Sequence, residues 1–236
     1  MKKTFKIGGV HPHDNKISSA AATEIFPAIE TAYVSMAQHL GAPATPVVAA
    51  GDKVKVGQVI AEPSGFISGF VHSPVSGTVK SVAPRADIAG NMVMHVEITV
   101  EGDEWMEDID RSDKIVKEIP YTPEEILDKV KKAGVVGLGG ASFPTHVKLA
   151  PPKDKKAECL ILNGTECEPY LTSDDRIMRE RPEEILIGGA IMMKALGVDR
   201  GYVGIEENKP DAIASMTKAA AAFPQIQVVV LKKRYP

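Results

Sequence analysis

The sequence predicts an α+β chain in which a small all-β module precedes a parallel α/β unit. Between residues 41 and 101, short strand-like pieces alternate with Gly and Pro, and no helix-length pattern interrupts them. After residue 122, helix and strand patterns alternate, which is typical of a parallel α/β unit. We expect four segments along the chain: a lead segment over 1–40, the β module over 41–101, an acidic linker over 102–121 and the α/β domain over 122–236.

The composition is that of an ordinary soluble protein without a surplus of basic residues. The chain has 236 residues, of which 44% are hydrophobic and 25% charged, and its net charge of -3 gives no indication of nucleic-acid binding. Its longest run of apolar residues and glycine, 185–193, is shorter than the ~20 residues of a spanning helix. Residues 1–10 contain lysines but no apolar h-region, so we expect no signal peptide there. The two cysteines, Cys159 and Cys167, match neither a CxxC pair nor a zinc or iron–sulfur set.

Alternation of apolar and polar residues predicts strands in the β module. From Met92 to Val100, every even position is apolar and three of the odd positions are polar, which is the period of a half-buried strand. Residues 53–56 show the same alternation after the turn at Gly51 and Asp52.

Capping and stop signals divide the second half of the chain into helices and strands. Thr122 to Glu125 form a capping box, and Pro123 at the first helical position begins a helix that ends at Gly134. Asn208 is expected to cap a later helix. The further elements are a strand at 159–162, a helix at 182–196 stopped by Gly197, a strand at 202–205, a helix at 210–223 and a strand at 226–231. The pattern ends at 232–236 without a closing helix, so we expect the chain to be one piece of a longer protein.

A glycine-rich segment follows the first of these helices. Gly134, Gly137, Gly139 and Gly140 allow positive φ and let backbone N–H groups approach an anion closely. The segment is not a Walker loop, because no Gly-Lys-Ser/Thr follows, and Ser142 stands where a dinucleotide fingerprint has its third glycine. A helix C-cap followed by a flexible turn is the alternative interpretation.

A second polar segment follows the strand at 159–162. Residues 163–169 and Asp174 lie where the strand ends, and parallel α/β sheets bind ligands at the carboxyl ends of their strands. The alternative is a solvated turn with a helix cap.

Together these segments resemble known redox proteins. Residues 137–148 resemble the GRGGAGFPTGxKW flavin loop of the complex I NADH-binding flavoprotein subunit, and residues 163–174 resemble the NADEGEPG segment of that subunit. Residues 8–12, 38–43 and 51–54 are similar to the start of RnfC, the peripheral subunit of the Rnf ion-translocating ferredoxin:NAD oxidoreductase.

The chain also departs from these families. Leu138 stands in place of the flavin loop's Arg, Ser142 in place of its third Gly, and Thr165 in place of the first acid of the acidic segment. RnfC proteins normally continue into a domain with two CxxCxxCxxxCP clusters. This chain has no ligands for those [4Fe–4S] clusters.

The β module has a resemblance of its own. Residues 51–58 and 73–79 resemble the two halves of a biotinyl/lipoyl-type barrel-sandwich hybrid. A carrier domain of this type needs an exposed lysine on the hairpin between the halves, and residues 63–72 contain none. We therefore expect a docking or structural module and no carrier function.

The resemblance implies a Rossmann-like flavin- and NADH-binding domain and an electron-transfer function. The chain is expected to bind FMN non-covalently, to react with NAD(H), and to pass electrons to iron–sulfur clusters outside this sequence. Its expected partners are the other subunits of a membrane-embedded Rnf complex, at the cytoplasmic face of the membrane. The alternative is a non-catalytic docking or assembly module that has lost flavin binding.

The resemblance also implies the residues that hold the flavin phosphate. Gly137, Gly139 and Gly140 are expected to approach the phosphate through their backbone, with Ala141 in the same loop. Lys148 is expected to add positive charge.

A further group of residues is implied for the flavin ring and the dinucleotide. Asn163 is expected to bond the isoalloxazine or ribityl region, and Phe143 to stack on the adenine of the dinucleotide. Glu166 and Glu168 are expected to face the nicotinamide, and Asp174 belongs to the same set. We predict neither catalytic side chains nor metal ligands.

Overall fold

The described part of the chain packs into two compact units. The fold is that of a computed structural model, which describes residues 9–152 and 154–234. Residues 26–113 and 124–151 form one unit, here called the β unit, and the described parts of 1–25, 114–123 and 152–236 form the other, the α/β unit. The expectations for residues 1–10 and 232–236 fall partly outside the described residues.

These units do not follow chain order, because residues far apart in the sequence pack together. The glycine-rich segment belongs to the β unit, although the sequence places it at the start of the α/β domain. Residues 9–25 belong to the α/β unit, although the lead segment precedes the β module. The division at 1–40, 41–101, 102–121 and 122–236 stays a prediction about chain organisation.

The β unit consists of two antiparallel sheets and two helices. Its strands are β1 (Thr31–Ser35), β2 (Thr45–Pro46), β3 (Lys53–Val54), β4 (Val59–Glu62), β5 (Val71–His72), β6 (Gly77–Ala86) and β7 (Met92–Val100). One sheet has the order β1-β7-β6-β3 and the other the order β2-β4-β5. Helices α1 (Pro123–Lys132) and α2 (Thr145–Lys148) follow.

The alternating pattern in β7 correctly predicts the core side chains in the second half of the strand. Val96 and Ile98 are fully buried and pack among the other apolar side chains of the two sheets. Met92 is exposed, since the β6–β7 hairpin extends beyond this core. The strand expected over 53–56 is shorter, and Val56 instead forms a single bridge to Trp105. The first part of the acidic linker therefore packs against the β unit.

The α/β unit is built on a parallel sheet. Its elements are β8 (Leu160–Gly164), α3 (Ser173–Glu180), α4 (Pro182–Leu196), β9 (Gly201–Glu206), α5 (Pro210–Ala220) and β10 (Ile226–Leu231). The sheet order is β10-β9-β8, with all neighbouring strands parallel. The predicted bounds of α4 and β10 are confirmed, and Gly197 ends α4 with a left-handed φ of 65°.

The core of the α/β unit lies between the sheet and its helices. Val203 and Ile205 on the central strand β9 are buried, as are Leu186 of α4 and Met216 of α5. Because the three strands are parallel, their carboxyl ends share one edge of the sheet. The loops that follow β8, β9 and β10 therefore begin at the same edge.

One expectation about the helices of this unit is wrong, and one helix was not expected. Asn208 does not cap α5, because Lys209 occupies the capping position and the Asn208 amide donates to Asp14 Oδ1 over 3.1 Å. Helix α3 was not predicted from the sequence, since its residues are mostly charged and Met178 is its one buried apolar side chain.

Candidate functional site

The glycine-rich segment forms a closed loop on the surface of the β unit. It begins at Gly134, whose φ of 63° is left-handed and whose missing Cβ avoids a collision with the carbonyl oxygen of Phe70. The loop closes where Gly137 N–H donates to the Phe143 carbonyl over 2.9 Å. Leu40 N–H, elsewhere in the β unit, donates to the Ser142 carbonyl over 3.3 Å. The base of the loop is thus anchored while its tip stays free.

The tip of this loop is open to solvent. Leu138 is 97% exposed, and Gly139, Gly140 and Ala141 are also exposed. A Cβ added to Gly139 or Gly140 would meet no atom within 4 Å. Nothing in the described fold therefore requires glycine at these two positions.

The expected reason for the glycines needs correction. The sequence suggested positive φ at Gly134, Gly137, Gly139 and Gly140. Gly134 has it, at 63°, but the other three glycines do not, and Ser142 has a positive φ of 44° instead. Gly139 and Gly140 leave open space beside their backbone, and the left-handed conformation at the end of the loop is adopted by Ser142.

The loop has the chemical features of an anion cradle. Within residues 9–152 and 154–234, the N–H groups of Gly139 and Gly140 donate to no backbone or side-chain acceptor. Lys148 Nζ lies 3.6 Å from the point where a Cβ on Gly137 would stand. Burial, together with the nearby Lys131 and His39, lowers the pKa of His146, which is therefore neutral at pH 7. Lys148 therefore supplies positive charge beside Gly137.

The acidic segment begins at the carboxyl end of β8 in the α/β unit. Asn163 is exposed, and its Oδ1 accepts hydrogen bonds from Thr165 N at 3.1 Å and Thr165 Oγ1 at 2.6 Å. This is a local turn of the kind that asparagine side chains stabilise. The geometry shows the turn that was the alternative interpretation at this position.

Glu166 is buried and fully engaged with other groups of the protein. Its Oε1 accepts the backbone N–H groups of Asp174 at 2.8 Å and Asp175 at 3.3 Å, at the start of α3. Its Oε2 lies 3.2 Å from both Lys16 Nζ and Lys209 Nζ. The side chain has no exposed surface. Glu166 was expected to face the nicotinamide, but this geometry favours the helix-cap alternative, since its oxygens are already occupied.

Lys209 is the buried cation of this cluster. It is 3% exposed and lies 3.1 Å from Glu206 Oε2 as well as close to Glu166. Burial alone would lower the pKa of Lys209, but the two carboxylates raise it above its usual value. Lys209 therefore stays charged, and the buried charges are paired as burial requires.

Glu168 and Asp174 are the accessible carboxylates of the acidic segment. Both residues are exposed, and neither carboxylate forms an ion pair with the described residues. Partial burial and the charge on Glu166 raise the pKa of Asp174, which Lys209 opposes only in part.

The remaining expectations concern Phe143, metal ligands and membrane-spanning helices. Phe143 is half-buried in the glycine loop, in the β unit, whereas the acidic segment lies in the α/β unit. Within the described ranges, no three His, Cys, Asp or Glu side chains are grouped as metal ligands. No described helix is long and apolar enough to cross a membrane.

Sequence reasoning missed the two lysines that hold Glu166. A buried carboxylate must have a cationic or hydrogen-bonding partner, so burial of Glu166 would have required one. The sequence contains 28 Lys and Arg residues and offers no signal that selects Lys16 and Lys209 among them.

Two family models match the chain, one for each half. The RnfC barrel sandwich hybrid domain matches residues 3–104, and the Nuo51 FMN-binding domain matches residues 130–236. The barrel-sandwich and flavin-domain resemblances are therefore confirmed at the level of the family.

Three curated relatives, each named as a subunit of an ion-translocating complex, match almost the whole chain. It is 43% identical to a subunit of the Na+-translocating ferredoxin:NAD+ oxidoreductase complex of Acetobacterium woodii, over 99% of this chain and 52% of that protein. It is 44% identical to a subunit of the proton-translocating ferredoxin:NAD+ oxidoreductase complex of Clostridium ljungdahlii, over 100% of this chain and 51% of that protein. It is 42% identical to a subunit of the ion-translocating oxidoreductase complex of Rhodobacter capsulatus, over 99% of this chain and 46% of that protein.

Solved structures give a looser likeness. The NAD+-reducing [NiFe]-hydrogenase in its air-oxidized state matches 46% of this chain over 20% of its own length, with 25% identity and a TM-score of 0.37. Nothing about this chain rests on that likeness.

The chain spans about half the length of the three curated relatives. With the two domains in this order and matches over almost its whole length, the chain is similar to RnfC and to subunits of ion-translocating oxidoreductase complexes.

Proposed function

We propose that this chain is the flavin- and NADH-binding part of an electron-transfer subunit in an ion-translocating ferredoxin:NAD oxidoreductase complex. The observation that carries the proposal is the glycine loop. Among the described residues, the N–H groups at its exposed tip meet no acceptor, and a lysine lies alongside, within residues matched by the Nuo51 FMN-binding domain. Relatives named as subunits of such complexes support the assignment of the complex.

The residues of the loop fit a flavin phosphate. Backbone N–H groups of Gly139, Gly140 and Ala141 would donate to phosphate oxygens, and Lys148 would balance the charge. Gly137 would leave room for the lysine, whose Nζ stands close to it. When bound, FMN supplies the exchange between two-electron hydride transfer and one-electron carriers, and the protein supplies its position and electrostatics.

The acidic segment is proposed to orient the dinucleotide. The parallel sheet with α3, α4 and α5 supports a Rossmann-like domain, in which the carboxyl edge of the sheet binds ligands. Glu168 and Asp174 are the carboxylates that a dinucleotide can reach, with Asn163 at the start of the segment. Glu166 would act indirectly, by holding the start of α3.

The proposed electron path continues outside this chain. Iron–sulfur clusters of the complex would take the electrons one at a time, at a peripheral position on the cytoplasmic face of the membrane. The β unit would serve docking and would anchor the glycine loop, since Leu40 and Phe70 contact it.

Substitution of the glycines at the tip tests the flavin site. Gly139→Val and Gly140→Val should reduce FMN retained by the subunit in its purified complex by more than about 100-fold, because branched side chains would fill the cradle. The thermal stability of the protein should stay close to that of the unmodified chain, since a Cβ there meets nothing. Gly188→Val in α4 is the matched control, because a Cβ at Gly188 also meets open space.

The same measurement separates the proposal from the docking-module alternative. That alternative draws on the exposed Leu138 side chain, which suits a protein contact better than a phosphate site. Stoichiometric FMN in both tip variants would show that the loop does not bind the phosphate. Absence of FMN from the unmodified subunit would favour the docking module.

A further inference from the structure

Residues 12–23, here called the N-terminal strap, lie along the carboxyl edge of the parallel sheet. Lys233, which follows β10, donates to the Pro12 carbonyl over 2.8 Å and lies 3.1 Å from Asp14 Oδ1. Asn208, which follows β9, donates to the same Asp14 oxygen. Asn15 N–H donates to the carbonyl of Pro169, which follows β8, over 3.2 Å. The chain's own strap thus contacts the loop after each of the three strands.

The rest of the strap follows helix α3. Ser18 Oγ lies 2.8 Å from Thr172 Oγ1, just before the helix. The Ser19 carbonyl accepts from Arg176 at 2.6 Å and from Arg179 at 3.0 Å. These contacts hold the strap on both sides of Lys16.

The Lys16 side chain holds the acidic segment at three points. Its ammonium group donates to Glu166 Oε2 at 3.2 Å, to the Glu168 carbonyl at 3.0 Å and to the Leu171 carbonyl. An ammonium has three N–H donors, so these acceptors use its full capacity. All three acceptors lie within residues 166–171, and the Lys16 side chain is only 16% exposed.

We propose that Lys16 is a positioning residue for the acidic segment, and that it fixes the conformation in which Glu168 and Asp174 are presented to the dinucleotide. The role of Lys16 toward the dinucleotide rests on the proposed function above. The three contacts of Lys16 with residues 166–171, here called the clamp, are observed in the structure. Glu166 keeps Lys209 and the N–H groups of α3 when Lys16 is removed. Loss of Lys16 should therefore release the loop without unfolding the unit.

Hydrogen–deuterium exchange of the purified 236-residue chain tests the clamp. In Lys16→Met, amides within residues 166–176 should exchange about tenfold faster or more, because the two carbonyls and Glu166 lose a shared donor. Lys233→Met is the matched control. Its side chain is also 16% exposed and also contacts the strap, but it does not contact the acidic segment. It should leave exchange in 166–176 unchanged.

Exchange in 166–176 that is unchanged in Lys16→Met would overturn the proposal. An equal increase in both variants would overturn it too, since it would show general loosening of the strap. Lys16→Arg keeps the charge but replaces the tetrahedral ammonium with a planar fork, so it should restore protection only in part. Full protection in Lys16→Arg would reduce the role to charge compensation of Glu166 and would also contradict the three-point clamp.

A second measurement separates the clamp from the proposed function. In the assembled complex, Lys16→Met should raise the KM for NADH about tenfold and leave FMN content and kcat nearly unchanged. Faster exchange without a change in KM would confirm the clamp as a structural contact and refute its role toward the dinucleotide. In that outcome Lys16 serves the fold alone, while the assignments of Glu168 and Asp174 to NAD(H) and of the glycine loop to the flavin are tested by their own variants.

Discussion

The glycine loop and the acidic segment resemble the same redox family, but they differ in how many of their polar groups already have partners within the protein. At the tip of the glycine loop, the N–H groups of Gly139 and Gly140 have no acceptor among the described residues, and a Cβ added at either position would meet no atom within 4 Å. In the acidic segment, Glu166 is buried and its oxygens are bonded to helix α3 and to Lys16 and Lys209. The free loop has capacity for a ligand, whereas much of the acidic segment already serves the fold. A resemblance in sequence therefore does not assign the same kind of role to every matched residue.

The largest effect is expected at Glu166, where loss of charge should destabilise the fold. Glu166→Gln leaves Lys209 buried with one carboxylate partner fewer, and breaking a buried pair costs about 3–5 kcal/mol. Urea unfolding followed by far-UV circular dichroism should report this loss, since α3, α4 and α5 belong to the α/β unit. The control Glu168→Gln is exposed and should change stability by no more than about 0.5 kcal/mol. Equal stabilities of the two variants would contradict the structural role of Glu166.

The next effect concerns the charge beside the glycine loop. Lys148→Met should weaken FMN binding about 10–100-fold, because a charge-assisted hydrogen bond to phosphate is worth about 1.5–3 kcal/mol. Fluorescence titration of the complex with FMN measures the loss, which should shrink at high salt. Lys156→Met removes an exposed lysine of the α/β unit and is the control. Equal affinity in the Lys148 variant would remove this residue from the phosphate site.

Local signals explain which parts of this architecture the sequence predicts. Helix α4 begins at Pro182 and ends before Gly197. Both signals are local, because proline favours the first helical position and glycine adopts the left-handed conformation that ends the helix. Strand β1 has no such signal, because its strand character comes from pairing with β7. Thr31 pairs with Thr99, 68 positions away, and Ser35 pairs with His95, 60 positions away. Helix α3 likewise depends on Glu166, whose carboxylate caps it from outside the helix.

The same reasoning holds for the candidate site. The spacing of the glycines predicts a loop whose surface is formed by backbone groups. This could be predicted because the missing side chain is a property of glycine itself. The partner of Glu166 could not, since Lys16 lies 150 positions away and reaches it only through the folded strap. Burial of a carboxylate is decided by tertiary packing, so a ligand contact and a helix cap are equally compatible with the sequence at this position.

A smaller effect is expected from the accessible carboxylates. Glu168→Gln together with Asp174→Asn should slow NADH-driven flavin reduction about tenfold in stopped-flow measurements, as the loss of one charge-assisted bond would do. FMN content should not change, because the phosphate contacts lie on the glycine loop. Asp154→Asn, an exposed acid of the same unit, should have no effect. Unchanged reduction in the double variant would leave the acidic segment with a structural role alone.

The smallest expected effect is a pH dependence confined to the β unit. Burial lowers the pKa of His72 and of His146 below the usual histidine value, so both are neutral in the folded protein near pH 7. As the pH falls below about 6.5, these histidines bind protons in the unfolded chain before they do so in the folded protein. The free energy of unfolding therefore decreases between about pH 6.5 and the lower pKa values of the folded state. Partial exposure screens the effect, which should stay under about 1 kcal/mol.

Unfolding followed by fluorescence of Trp105, the single tryptophan of the chain and a residue of the β unit, measures this dependence. The stability difference between pH 7 and pH 5.5 should shrink when His72 and His146 are both replaced by Gln, because neutral glutamine does not titrate. His95→Gln is the control for histidine replacement in the same unit, where the His95 ring bonds the Val93 carbonyl at 2.9 Å. If the double variant kept the full pH dependence, other groups would have to carry it. That result would contradict the lowered pKa of the half-buried His146 beside the glycine loop.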